Sequence, residues 1–202
     1  MTVRVKICGI TRVEDARAAI AAGADMIGLN FYAKTPRFVD VDRAREIREA
    51  VGARAAVVGV FVNAERAYID ERIRAVSLDM IQFSGDEDVA TLAGWPVPSI
   101  VVRRLKVGDG SSVRSHRGDY VLYDAFDAKL FGGTGNRISL DQLRAVDLSR
   151  AFIAGGLNPD NVAEVAALEP YAVDCASGVE SSSGVKDHEK LRSFINNAKR
   201  SR

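Results

Sequence analysis

The sequence is poor in the residues that build disulfide frameworks and metal centres. It holds two cysteines, Cys8 and Cys175, and two histidines, His116 and His188. The cysteines lie far apart and form no CxxC unit, so neither a disulfide scaffold nor a thiolate metal site is expected, and the histidines sit in no ligand pattern. No apolar run approaches the roughly 20 residues that a membrane-spanning helix needs. Met1 leads straight into a strand-like stretch, without the charged and apolar regions of a secretory signal. An excess of charge is also missing: 28 Lys and Arg face 27 Asp and Glu, a net charge of +1, which argues against a nucleic-acid-binding face. These absences point to a cytoplasmic protein with no metal, membrane or nucleic-acid partner.

What the sequence does have is alternation. Short β-branched, apolar runs recur at 3–9, 25–31, 54–62, 79–85, 99–107, 120–125, 151–156 and 171–177. Most are followed by a segment of helical periodicity, such as 13–23, which ends in glycine, and 158–169, which opens with Asn-Pro. The stretch 108–118 is the weakest and reads as loop. Eight βα units in 202 residues leave little room for insertions. The expected architecture is therefore α/β, a compact (β/α)8 TIM barrel forming a single domain over 1–202. A doubly wound open sheet is the alternative, but "CGITRVED" after the first strand lacks its Gly-rich nucleotide fingerprint.

Barrels of this kind gather ligands at the carboxyl ends of the strands. That rule singles out Cys8 at the end of strand one, Arg37 in the loop after strand two, Asp124 at the end of strand six and Gly155 and Gly156 at the end of strand seven. Side chains two apart share a strand face, so Lys6 and Cys8 are expected to face the barrel interior while Val5 and Ile7 pack on helices. Strands one and eight are neighbours in a closed barrel, and Asp174 is the only charge on strand eight. A Lys6–Asp174 pair is therefore expected, with Cys175 turned outward as packing.

Several stretches carry chemistry. Glycines at helix N-termini expose N–H groups to phosphate, which makes "AGGLNPDNV" (154–162) and "CASGVESSSGVKD" (175–187) candidates for a phosphate grip, with simple turn chemistry as the alternative. "GGTG" at 132–135 is a weaker signal. Asp124, ending an apolar strand, is expected to be partly desolvated and usable as a general acid, or else to cap a loop. Asp127 is a weaker candidate. Arg37 has the geometry to clamp a carboxylate through two hydrogen bonds, although loop arginines are commonly just solvated. Cys8 is either a base at the mouth of a site or a small buried hydrophobe.

In order along the chain, "VKICGIT", "GADMIGLNFYAKTPRFV", "VVGVFVN", "IQFSGDE", the Asp of "LYDA" before "GGTG", "AGGLNPDNV" and "VDCASGVESSSGVKD" resemble the phosphoribosylanthranilate isomerase family of tryptophan biosynthesis. The resemblance spans essentially the whole chain. It implies a cofactor-free barrel that carries out an Amadori rearrangement of a small sugar-phosphate substrate, as a monomer or homodimer. Position by position it makes Cys8 the general base, Asp124 the general acid, Arg37 the anchor of the anthranilate carboxylate, and Gly155, Gly156, Ser177 and Gly178 the phosphate grip.

Two departures from the family pattern stand out. Gln-Leu-His-Gly is replaced by Gln82-Phe83-Ser84-Gly85, and a Phe-x-Trp segment by "NRISLDQL", with Ile138 and Leu140. They keep alternatives open: a non-catalytic sugar-phosphate-binding barrel, or a bifunctional one related to the histidine-pathway isomerase. That related enzyme typically carries Asp rather than Cys on strand one. A redox role for Cys8 lacks a nearby resolving cysteine.

Overall fold

The β-branched runs form eight strands, β1 (Arg4–Ile7), β2 (Met26–Asn30), β3 (Ala56–Phe61), β4 (Met80–Phe83), β5 (Ser99–Arg104), β6 (Tyr120–Asp124), β7 (Ala151–Ala154) and β8 (Ala172–Cys175). They pair in parallel in sequence order and close β8 onto β1, giving the expected barrel. The structure is a computed structural model that describes residues 2–88, 90–104, 118–124, 143 and 147–200. The segment 108–117, the "GGTG" at 132–135, Asp127 and positions 136–142 lie outside the described residues.

Strand alternation divides the apolar residues between two layers. Met26, Val58, Met80, Ile100, Leu122, Phe152 and Ala172 fill the inside of the barrel. Val5, Ile7, Ile27, Val57, Ile81, Val121, Ile153 and Val173 pack outward with the helices. Among the described residues, the helices packed around them include α1 (Val13–Ala22), α2 (Val41–Val51), α3 (Arg66–Val76), α4 (Val162–Ala166) and α5 (His188–Arg200). Their ends follow local chemistry. Asp40 caps α2 by accepting a 2.8 Å hydrogen bond from the Arg43 N–H, and Gly23 stops α1 in the left-handed conformation. On α5, Leu191, Phe194, Ile195 and Ala198 are buried at helical spacing, which seats the last helix on the barrel.

The elements are shorter than the apolar runs suggested. Cys8 lies just past β1, although its N–H still donates to the Cys175 carbonyl at 2.8 Å. The helix expected over 158–169 is reduced to α4. Asn158 and Asn161 are the reason, because each uses its side-chain oxygen on a nearby backbone N–H: Asn161 Oδ1 accepts from Asn158 at 2.9 Å, and Asn158 Oδ1 from Asp160 at 2.8 Å. Such turns compete with a helical start. They leave the Gly155–Asn161 segment as a shaped loop at the rim.

A second, two-stranded sheet follows β8 after a single 3-10 turn at Ser177–Val179. It comprises β9 (Glu180–Ser182) and β10 (Val185–Lys186), antiparallel, with Lys186 opposite Glu180.

Candidate active site

Lys6 is fully buried, and its Nζ donates to Asp174 Oδ2 at 2.9 Å. The two residues stand side by side in the β1–β8 register. This is the internal pair that alternation and closure predict. Burial by itself drives the Lys6 ammonium toward neutrality, but Asp174 and the Cys8 sulfur more than offset it and raise the pKa overall. Asp174 Oδ1 is buried with no hydrogen-bond partner among the described residues.

Cys8 is partly buried and unpaired with another cysteine. Burial raises its pKa, Lys6 lowers it, Asp174 raises it and Lys186 lowers it, with burial prevailing. A thiol that is to act as a base needs cations nearby to favour the thiolate, and Lys6 and Lys186 both act in that direction. They do not outweigh burial, so the thiol pKa stays above that of an ordinary cysteine.

A cavity of about 300 Å³ opens at the carboxyl ends of the strands. Cys8, Asp124, Asp174, Gly155, Gly156, Ser177 and Gly178 all line it, together with Gln82 and Ser84. Gly155 and Gly156 have φ of 86° and 66°, a conformation that suits glycine. At Gly178 a Cβ would collide with the Leu157 carbonyl oxygen, so only glycine lets the loop after β8 lie against the loop after β7. Asp124 is exposed. Ending β6, its side chain stands at the mouth of the cavity rather than in the core. Cys175 is turned toward the helical layer. Its thiol donates to the Leu157 carbonyl at 3.1 Å, and burial pushes its pKa up to about 12, which fits a packing role.

Arg37 stands next to the cavity rather than in its wall. Its fork is engaged by an internal carboxylate, with Nε donating to Glu180 Oε1 at 2.8 Å and Nη2 to Glu180 Oε2 at 2.6 Å. Of the five guanidinium donors, those on Nη1 and the second on Nη2 lie outside this two-point contact. Lys186 extends the cluster. Its buried Nζ donates to Glu180 Oε1 at 2.9 Å, to the Cys8 carbonyl at 2.8 Å and to the Ala176 carbonyl at 3.0 Å. Burial pushes the Glu180 carboxyl up, but the hydrogen bonds from Arg37 and Lys186 win and hold it below the usual carboxylate range.

Glu180 and Lys186 were not singled out by sequence reasoning. The sequence carries one signal for them, the opposite charges that flank "SSSGV" in "ESSSGVK". Ser84 accepts a 3.0 Å hydrogen bond from Gln82 Nε2 at the cavity wall, so a small polar group stands where the family pattern has imidazole.

This geometry can be set against known proteins. A model of the N-(5'-phosphoribosyl)anthranilate (PRA) isomerase family matches residues 5–197. The N-(5'-phosphoribosyl)anthranilate isomerase of Pseudomonas fluorescens strain Pf0-1 is 46% identical over 198 residues, covering 96% of this chain and 97% of the relative. The crystal structure of the Thermus thermophilus phosphoribosyl anthranilate isomerase superposes with a TM-score of 0.82 at 33% identity, covering 96% of this chain and 98% of that one. A phosphoribosyl anthranilate isomerase bound to reduced 1-(o-carboxyphenylamino)-1-deoxyribulose 5-phosphate superposes with a TM-score of 0.79 at 31% identity, over 98% and 99% of the two chains. By family model, relatives and architecture together, the chain belongs to the N-(5'-phosphoribosyl)anthranilate isomerase family.

Proposed function

We propose that this barrel converts N-(5'-phosphoribosyl)anthranilate to 1-(2-carboxyphenylamino)-1-deoxyribulose 5-phosphate, with Cys8 as general base and Asp124 as general acid. The observation that carries this reading is that both residues line one cavity together with the glycine-rich loops after β7 and β8. In this reading Gly155, Gly156, Ser177 and Gly178 hold the phosphate through backbone N–H groups. Arg37 meets the anthranilate carboxylate with the guanidinium donors that Glu180 leaves available.

The steps balance without a cofactor. Asp124 gives its proton to the furanose ring oxygen, the C1–O bond breaks, and the nitrogen lone pair forms the C1=N bond of a cationic Schiff base. Cys8 then removes the proton from C2, and the electron pair moves to nitrogen to leave an enol amine, whose tautomer is the ketose product. The exposed position of Asp124 suits a group that must recover its proton from solvent each turn. Burial disfavours the thiolate, and a cationic Schiff base beside Cys8 favours its ionised form at the step that needs it. The buried Asp174 Oδ1 offers an acceptor to a sugar hydroxyl.

The reading extends to a cytoplasmic enzyme that acts on a small molecule as a monomer or homodimer. Among the described residues no helix is long and apolar enough to cross a membrane. The test is turnover of phosphoribosylanthranilate by the wild type, Cys8→Ser and Asp124→Asn proteins. Losses of roughly 100-fold or more in kcat are expected for each variant, and undiminished turnover in either rejects the role given to that residue.

A further inference from the structure

Glu180 is the residue around which the rim cluster is built. It is a carboxylate with 5% side-chain exposure, and it binds two cations: the Arg37 fork through both oxygens and the fully buried Lys186 ammonium through one. Lys186 in turn ties Glu180 to the carbonyls of Cys8 and Ala176, the residues that directly follow β1 and β8. The hairpin itself is fastened to the first loop, where the Thr11 hydroxyl donates to the Gly184 carbonyl at 2.6 Å. Beneath the Arg37 stem lies Gly9, where a Cβ would overlap Arg37 Cδ. The guanidinium therefore has a floor and a post, and both are tied to the backbone of the proposed base.

We infer that Glu180 is a positioning residue that sets the orientation of Arg37, and through it the selectivity for a substrate whose aromatic amine carries an ortho carboxylate. The inference rests on the assignment of Arg37 to that carboxylate. Three charges make the physical case. Arg37 and Lys186 supply two positive charges and Glu180 one negative, leaving a single positive charge to match one carboxylate. The two-point grip also fixes the plane of the guanidinium, so its outer donors face one way. An arginine released from Glu180 keeps its charge but loses that preset direction, and the substrate must then order it on binding.

A loop fastener and a specificity post make different predictions. The discriminating measurement compares phosphoribosylanthranilate with N-phosphoribosylaniline, which lacks the carboxylate. In the Glu180→Gln protein, KM for phosphoribosylanthranilate is expected to rise roughly tenfold or more with kcat within about twofold, while KM for the aniline analogue stays near the wild-type value. Glu180→Asp, which keeps the charge on a shorter stem, is expected to lose part of the preference, and it supplies the same readout if the Gln variant shows no cooperative melt. Equal rises for both substrates in either folded variant, or no rise for the carboxylate substrate, overturn the inference. Arg37→Met separates this from the reading beneath it. If that variant keeps the wild-type preference, the Arg37 assignment falls and the inference falls with it. If it loses the preference while Glu180→Gln retains it, the positioning role alone is rejected.

Discussion

Lys6 on the first barrel strand and Asp174 on the eighth meet inside the barrel, Nζ to Oδ2 at 2.9 Å, although they are 168 positions apart in the chain. Their meeting is a consequence of closure, since only a sheet that returns to its first strand brings them into register. A buried pair of this kind is costly to break from one side. Removing one partner leaves the other charged and desolvated, at about 3–5 kcal/mol, whereas replacing both with apolar residues is often close to neutral. Lys6→Met is therefore expected to be strongly destabilised in urea unfolding, and Lys6→Met/Asp174→Leu to recover most of the loss. Additive losses would mean that the two charges do not compensate each other.

The double variant also tests what sets the ionisation of Cys8. After burial, Lys6 is the strongest influence on that thiol and Asp174 opposes it more weakly, so removing both is expected to move the thiol pKa further up. Alkylation by iodoacetamide as a function of pH reads this directly, because only the thiolate reacts. The wild-type midpoint should lie above that of an ordinary cysteine and the double-variant midpoint higher still. A midpoint that stays put in the double variant would remove Lys6 from the electrostatics of the site.

Those two predictions draw on what was legible in the sequence. Period-two alternation put Lys6 inside, and eight βα units implied closure, so the pair could be named from the residue order. Cys175 was assigned to the outer layer by the same rule, and it packs there. The Glu180–Lys186 pair was not legible in that way, because it sits on a hairpin inserted after β8 and its partners Arg37 and Cys8 belong to other loops. No periodicity links such residues. The sequence offers the Arg37 fork to a ligand carboxylate or to solvent, because it does not show that the Glu180 carboxylate reaches it first.

The close approach at Gly178 gives a test of the phosphate grip that leaves the acid and base alone. A Cβ there meets the Leu157 carbonyl oxygen, a backbone atom that also accepts the Cys175 thiol proton. Relief requires one of the two loops to retreat, with an expected stability cost of about 1–3 kcal/mol. Because both loops line the cavity, Gly178→Ala is expected to weaken competitive inhibition by inorganic phosphate roughly tenfold. An unchanged inhibition constant in a folded variant would argue that phosphate binds elsewhere.

Alkaline stability offers a test of the buried thiol that does not depend on activity. In the unfolded chain Cys175 ionises near pH 8.5, whereas in the folded protein burial holds its pKa up to about 12. Between those values the native state binds a proton that the unfolded state has released. Stability therefore falls as pH rises, by about 1.4 kcal/mol per pH unit for one such group at full effect. Cys8 adds in the same direction, since its pKa is also raised. Cys175→Val removes one of the two thiols and keeps the site apolar. Its stability at neutral pH reports any packing change, while its slope across roughly pH 9 to 10.5 should be shallower than that of the wild type by close to one proton. Equal slopes in urea unfolding would mean that Cys175 ionises as easily in the folded barrel as outside it, and that the helical layer does not exclude water from the thiol.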